Sequence, residues 1–158
     1  MRKLTILLLA VLFCSLSAWS EPLLVELGLD LLKHYDKVSK IEEILEKNGL
    51  NVTSKDFDKY VACAYSLTAE NSDTIPELQA EFVNNCTNKI AGVVFKISLN
   101  SDYYNDLSSQ LNNFGFELIE DDGNELIYRN SKNIQCNISF PKYGRANIMI
   151  IGRTYQIW

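Results

Sequence analysis

The period at which apolar residues recur changes part-way along this chain, and that change limits its fold more than any other feature. From Pro22 to Gly49 the apolar positions Leu24, Leu27, Leu31, Tyr35, Val38, Ile41 and Leu45 come every three or four residues, the spacing of one helix face. Ser39 followed by Glu42 has the form of a capping box and offers a break, and Gly49 is a helix stop. Thr53 and Asp56 repeat the capping pattern. They predict a second helix over Lys55–Thr68, with Phe57, Tyr60, Val61, Ala64 and Tyr65 inward. Pro76 and Glu77 suit the first turn of a third, from Thr74 to Gly92, carrying Leu78, Phe82, Val83, Cys86 and Ile90.

Beyond Gly92 the period falls to two. Val93–Leu99 is β-branched and aromatic, and a short helix with Tyr103, Leu107 and Leu111 on one face runs to Phe114–Gly115. Alternating segments follow around Phe116 and Leu118, Leu126 and Tyr128, Ile134 to Phe140, and Ala146 to Ile150. Asp121-Asp122-Gly123-Asn124 and Pro141–Gly144 are turn sequences. Tyr155, Ile157 and Trp158 are expected as a last strand, with Gly152 as a bulge or turn. The expected fold class is α+β: an N-terminal layer of three or four helices, residues 21–92, then a β-α-β-β-β(-β) unit with an antiparallel sheet, residues 93–158. No internal repeat is visible.

Residues 1–20 have the layout of an export signal. Arg2 and Lys3 precede an apolar run from Leu4 to Phe13, and Ala18 and Ser20 stand at the small-x-small positions before Glu21. Residues 21–158 are therefore expected to be one exported domain with no membrane span after cleavage, periplasmic in a bacterium and otherwise secreted. Without Arg2 and Lys3 the chain holds 13 Lys and Arg against 20 Asp and Glu, a net charge of about −7. Such a balance, with no cluster of Lys or Arg, excludes a nucleic-acid surface and favours a cationic protein partner. Residues 21–92 carry a net −6 of it.

Three cysteines remain after cleavage, and an oxidising compartment pairs two of them. Cys63 and Cys86 are the expected disulfide, on the apolar stripes of adjacent helices. Cys136 alternates with Ile134 and Ile138 and is expected as a buried thiol. His34 is the only histidine, which removes sites that need two imidazoles. Three cysteines without close pairing make a poor metal set, and no nucleophile elbow or phosphate loop is present, so no cofactor or metal is expected. Glu120, Asp121, Asp122 and Glu125 gather at one turn without the alternating oxygen ligands of a calcium loop. They are the candidate partner-binding residues. The expected function is a non-catalytic protein-binding domain of the inhibitor or toxin-immunity kind. The alternatives are an accessory factor for envelope or secretion assembly and a small hydrolase using a Cys136/His34 or carboxylate pair.

Overall fold

Two short helices open the described chain. The structure, a computed structural model, describes residues 23–61, 63–71, 78–88, 90–97, 101–140 and 147–154. The export signal, Pro141–Gly144 and the segment from Tyr155 to Trp158 lie outside these residues. Helix α1, Leu24–Lys33, buries Leu24, Val25, Leu27, Gly28, Leu31 and Leu32, with Glu26 in its first turn and Lys33 in its last, as the helix dipole favours. Helix α2, Val38–Lys47, turns Ile41, Ile44 and Leu45 inward. The break between them falls at His34–Lys37, ahead of Ser39, and no side-chain cap bond marks the start of α2, so the Ser39–Glu42 capping box does not form.

The next residues correct the expected helical layer. Where two more helices were expected, the chain forms strands β1 (Asn51–Phe57), β2 (Tyr65–Asn71), β3 (Leu78–Asn85) and β4 (Ile90–Ile97). The second half then adds helix α3 (Ser101–Asn113) and strands β5 (Phe116–Asp121), β6 (Glu125–Asn130), β7 (Ile134–Ser139) and β8 (Asn147–Thr154). The reason for the error lies in spacing. Phe57, Val61 and Tyr65, and Leu78, Phe82, Cys86 and Ile90, stand four apart, and a step of four returns to the same face of a helix and of a strand alike. Burial separates the two: Leu78, Ala80 and Phe82 are buried in alternation with half-exposed Gln79, Glu81 and Val83, which is period two. The small Ala69 and Ala80 are fully buried members of the strand faces, and their low hydrophobicity hid the alternation.

All eight strands join one antiparallel sheet in the order β1-β2-β3-β4-β8-β7-β6-β5. Gly152 pairs with Gly92 inside the β4–β8 ladder, so it is neither the turn nor the bulge its sequence suggested. The helices cover one face: α1 lies over the central strands β4 and β8, α2 over β1 and α3 over β5. The contact is closest at Gly28, where a Cβ would collide with Ile151 of β8. Beneath the helices runs one continuous core that includes Leu31, Ile41, Leu45, Phe82, Phe95, Leu107, Leu111, Phe116 and Ile151. Burying each such side chain contributes about 1.5–3 kcal/mol before entropy is subtracted.

The strand order is that of two four-strand meanders meeting at their last strands, each preceded by a helix. This is an internal pseudo-symmetry of the fold, which the sequence, with no visible repeat, did not reveal. Leu45 and Leu111 are the buried residues four before Gly49 and Gly115, and both glycines end their helix at φ +75° and +74°. Gly49 N–H donates to Glu46 O at 2.9 Å and Gly115 N–H to Asn112 O at 3.0 Å, the same closing turn. Leu50 and Phe116 follow as the first buried residues, and each edge strand then slips register at one place, Val52/Ser54 and Leu118/Glu120. The ladders carry the correspondence across the sheet. Leu67 matches Leu126, Ala69 matches Tyr128, Leu78 matches Ile134, Ala80 matches Cys136, Phe82 matches Ile138, Val93 matches Met149 and Phe95 matches Ile151, every one of them buried. Val94 matches Ile150, and these two also pair with each other at the centre of the sheet, so the relation between the halves is a two-fold passing through them.

Candidate functional site: the acidic edge strand

Strand β5 is one margin of the sheet, and only its first residue is buried. Phe116 anchors it in the core, whereas Glu117, Leu118, Ile119, Glu120 and Asp121 are all exposed. Leu118 and Ile119 are adjacent apolar residues, which cannot both face inward on an alternating strand. The slip between Leu118 and Glu120 leaves both outside, 48% and 52% exposed. A bulge on an edge strand also blunts edge-to-edge pairing of sheets, because it interrupts the row of free backbone groups.

The hairpin from β5 to β6 holds its carboxylates rigidly. Asp121 Oδ1 accepts the Gly123 N–H at 2.9 Å, and Asp122 Oδ1 accepts the N–H groups of Asn124 at 2.8 Å and Glu125 at 2.7 Å. Phe140 N–H donates to Asn124 O at 2.8 Å, tying the tip to the end of β7. The Asp side chains thus act as turn formers and stay exposed while doing so. Of the four residues singled out from sequence, Glu120, Asp121 and Asp122 share this exposed margin. Glu125 does not join them. It is half-buried on the uncovered sheet face and accepts a hydrogen bond from Asn137 Nδ2 at 2.9 Å. Glu117, Leu118 and Ile119 belong to the surface and were missed; the adjacent pair Leu118–Ile119, breaking strict alternation, was the signal.

The other chemically interesting residues are placed less usefully for catalysis. Cys136 is fully buried on β7 beneath the helices, and burial pushes its thiol up to about 12, so it holds its proton at neutral pH. His34 caps the end of α1 and lies 3.8 Å from Asp30. The Cys136/His34 hydrolase alternative therefore has no accessible nucleophile. Among the described residues no group of three or more His, Cys, Asp or Glu is placed to hold a metal ion.

At the opposite margin the disulfide is present as expected, but for a different reason. Cys63 and Cys86 are joined with Cα atoms 5.9 Å apart. Register brings them together, since Tyr65 pairs with Asn84 and the two cysteines flank that pair at one end of the sheet. Asn84 is buried and its Nδ2 donates to Cys63 O at 3.0 Å. The stapled loop presents Tyr60, 95% exposed, beside Phe57 at the end of β1, 57% exposed, with Asp58 Oδ1 accepting the N–H groups of Tyr60 and Val61. Among the described residues no helix is long and apolar enough to cross a membrane. The chain matches no protein-family model, no curated protein and no solved structure.

Proposed function

We propose that this protein is a non-catalytic, exported protein-binding domain that holds a cationic partner against the β5 margin, in the manner of an inhibitor or immunity protein. One observation carries the reading: Leu118 and Ile119 stand exposed between the carboxylates of Glu117, Glu120, Asp121 and Asp122 on a rigid edge. An exposed apolar pair flanked along an edge strand by like charges suits a binding margin, in which desolvated apolar contacts hold the partner and the charges steer it. The net charge of about −7 after export reinforces that steering. The Cys63–Cys86 disulfide suits an oxidising compartment, which agrees with residues 1–20 acting as an export signal. An accessory role in envelope or secretion assembly would use the same surface, and the identity of the captured partner separates the two.

The test is affinity capture from the exported fraction with the protein as bait. The expected partner is basic, and its recovery falls roughly tenfold or more with Leu118→Ser and Ile119→Ser together. Asp121→Asn with Asp122→Asn keeps the acceptor oxygens that close the turn, so it slows association and flattens its salt dependence while the fold stays intact. Capture indifferent to both changes removes the β5 margin from the function. Loss of biological activity in folded Cys136→Ser or His34→Ala would overturn the binding reading itself.

A further inference from the structure

We propose that α1 is a closing strap: it docks last, after the two meanders have joined through β4 and β8, and seals the core between α2 and α3. The other two helices have their seats inside their own units, α2 over β1 and α3 over β5, the strands that follow them directly in the chain. Helix α1 has no such seat. It lies across the junction, on β4 of the first unit and β8 of the second, and touches both α2 and α3. Among the described residues no second helix stands before α3 as α1 stands before α2, so α1 falls outside the pseudo-symmetry and bridges its two halves.

That seat is assembled from parts far apart in the chain. Gly28 presses on Ile151 of the last strand so closely that a Cβ at position 28 would collide with the Ile151 Cγ2 methyl, and Phe95 of β4 borders the same contact. Val25 N–H donates to Oε1 of the buried Gln110 in α3 at 3.4 Å, and Gln110 Nε2 in turn donates to Asp106 Oδ2 at 2.6 Å. Leu24, Val25, Leu27, Leu31 and Leu32 are all buried there. Within each meander, by contrast, every strand pairs with the next one in the chain. Closing a short loop costs less entropy than closing a long one, so these neighbours pair first. The seat of α1 is complete only once β8 has paired with both β7 and β4. In a chain exported N-terminus first, α1 crosses first and finds its seat only when β8 has followed, so closure of the core waits for the whole chain. That consequence rests on residues 1–20 acting as an export signal, whereas the docking order does not. The β5 margin belongs to the second meander, so partner capture and docking order stand or fall separately.

Pulse-labelled hydrogen exchange during refolding of the purified protein, with its disulfide intact, decides the order. The expected result is that amides of β2, β3, β6 and β7 gain protection first, and those of α1 about tenfold later, together with the β4–β8 ladder. Protection of α1 before β2 and β3, or in one step with them, overturns the proposal. Gly28→Ala tests the strap in the folded protein, because its methyl meets Ile151 without touching the strand ladders. Exchange in α1 should then rise about tenfold or more while β2, β3, β6 and β7 keep their protection. A loss spread equally over α1 and the sheet would show that the helix does not dock as a separate element, and overturns the proposal as well.

Discussion

The two pseudo-symmetric units share a backbone plan and differ where they meet solvent. Both end a helix on a left-handed glycine, bury the next residue, bulge the edge strand at the same place and fill the same positions beneath the helices. Their margins have little in common. The first unit closes its β1–β2 end with a seven-residue loop stapled by Cys63–Cys86 and tipped by Tyr60, whereas the second closes β5–β6 with a tight acidic turn. At the equivalent bulges Val52 and Thr53 stand in one unit and the exposed Leu118 and Ile119 in the other. The two units are alike at the residues that set φ and fill the core, and differ at the edges, which touch only solvent and so are free to differ.

The largest expected break in this comparison comes from the staple. Replacing Cys63 and Cys86 by Ser removes a link across 23 residues, and loop closure of that size is worth about 3 kcal/mol. The loss falls on one unit, so hydrogen exchange should speed up in β2 and β3 while β6 and β7 keep their protection. A uniform loss across the sheet would mean that the two units open as one.

A smaller effect tests the likeness of the units. Gly49→Ala and Gly115→Ala each force a side chain into the left-handed region and should cost about 1 kcal/mol apiece, equal within experimental error, in urea unfolding. A cost at only one of them would show that the shared helix ending is not an equivalent constraint.

A third group of effects appears in alkali, and one arises in each unit. Burial raises the Cys136 thiol from 9.0 to about 12, and burial together with Asp36 raises the Tyr65 hydroxyl from 10.0 to about 12. Both groups hold their protons more tightly folded than unfolded, so the stability they contribute is complete below the unfolded values and is lost as pH rises from about 9 to about 12. Cys136→Ala, which places the first unit's Ala80 at the equivalent position, should flatten the early part of that loss. Tyr65→Phe should flatten the later part, and it costs about 1 kcal/mol at neutral pH because the hydroxyl no longer donates to Tyr35 O at 2.6 Å. In the native protein at pH 8 a thiol reagent should leave Cys136 unmodified and react with it only after unfolding.

The second half was legible because its alternation is carried by large residues: Leu126, Tyr128, Ile134, Ile138 and the turn at Asp121–Asn124 point to strands directly. The first half was not, since Ala69 and Ala80 contribute little to a hydrophobic pattern and the large residues that remain stand four apart, a spacing common to both structures. The pseudo-symmetry was hidden for a related reason. The β1–β2 and β5–β6 connections differ in length, so equivalent residues have no constant offset in the chain. Of the candidate site, the three exposed acids were accessible from turn chemistry. Their apolar neighbours required the bulge, and a bulge depends on how a partner strand is registered, which no local pattern states.

By itself the sequence determined the paired helices before Gly49, the α3–β8 half, the acidic turn, the burial of Cys136 and the pairing of Cys63 with Cys86. These follow from local chemistry: periodicity where side chains are large, hydrogen-bonding side chains in a turn, and the count of thiols. Tertiary structure alone decided that the middle of the chain is sheet, that Leu118 and Ile119 face outward and that Glu125 turns away to Asn137. The physical reason is that strand partners are distant in the chain, so register, edge position and face are settled by pairing energies summed over the whole sheet rather than by any one segment.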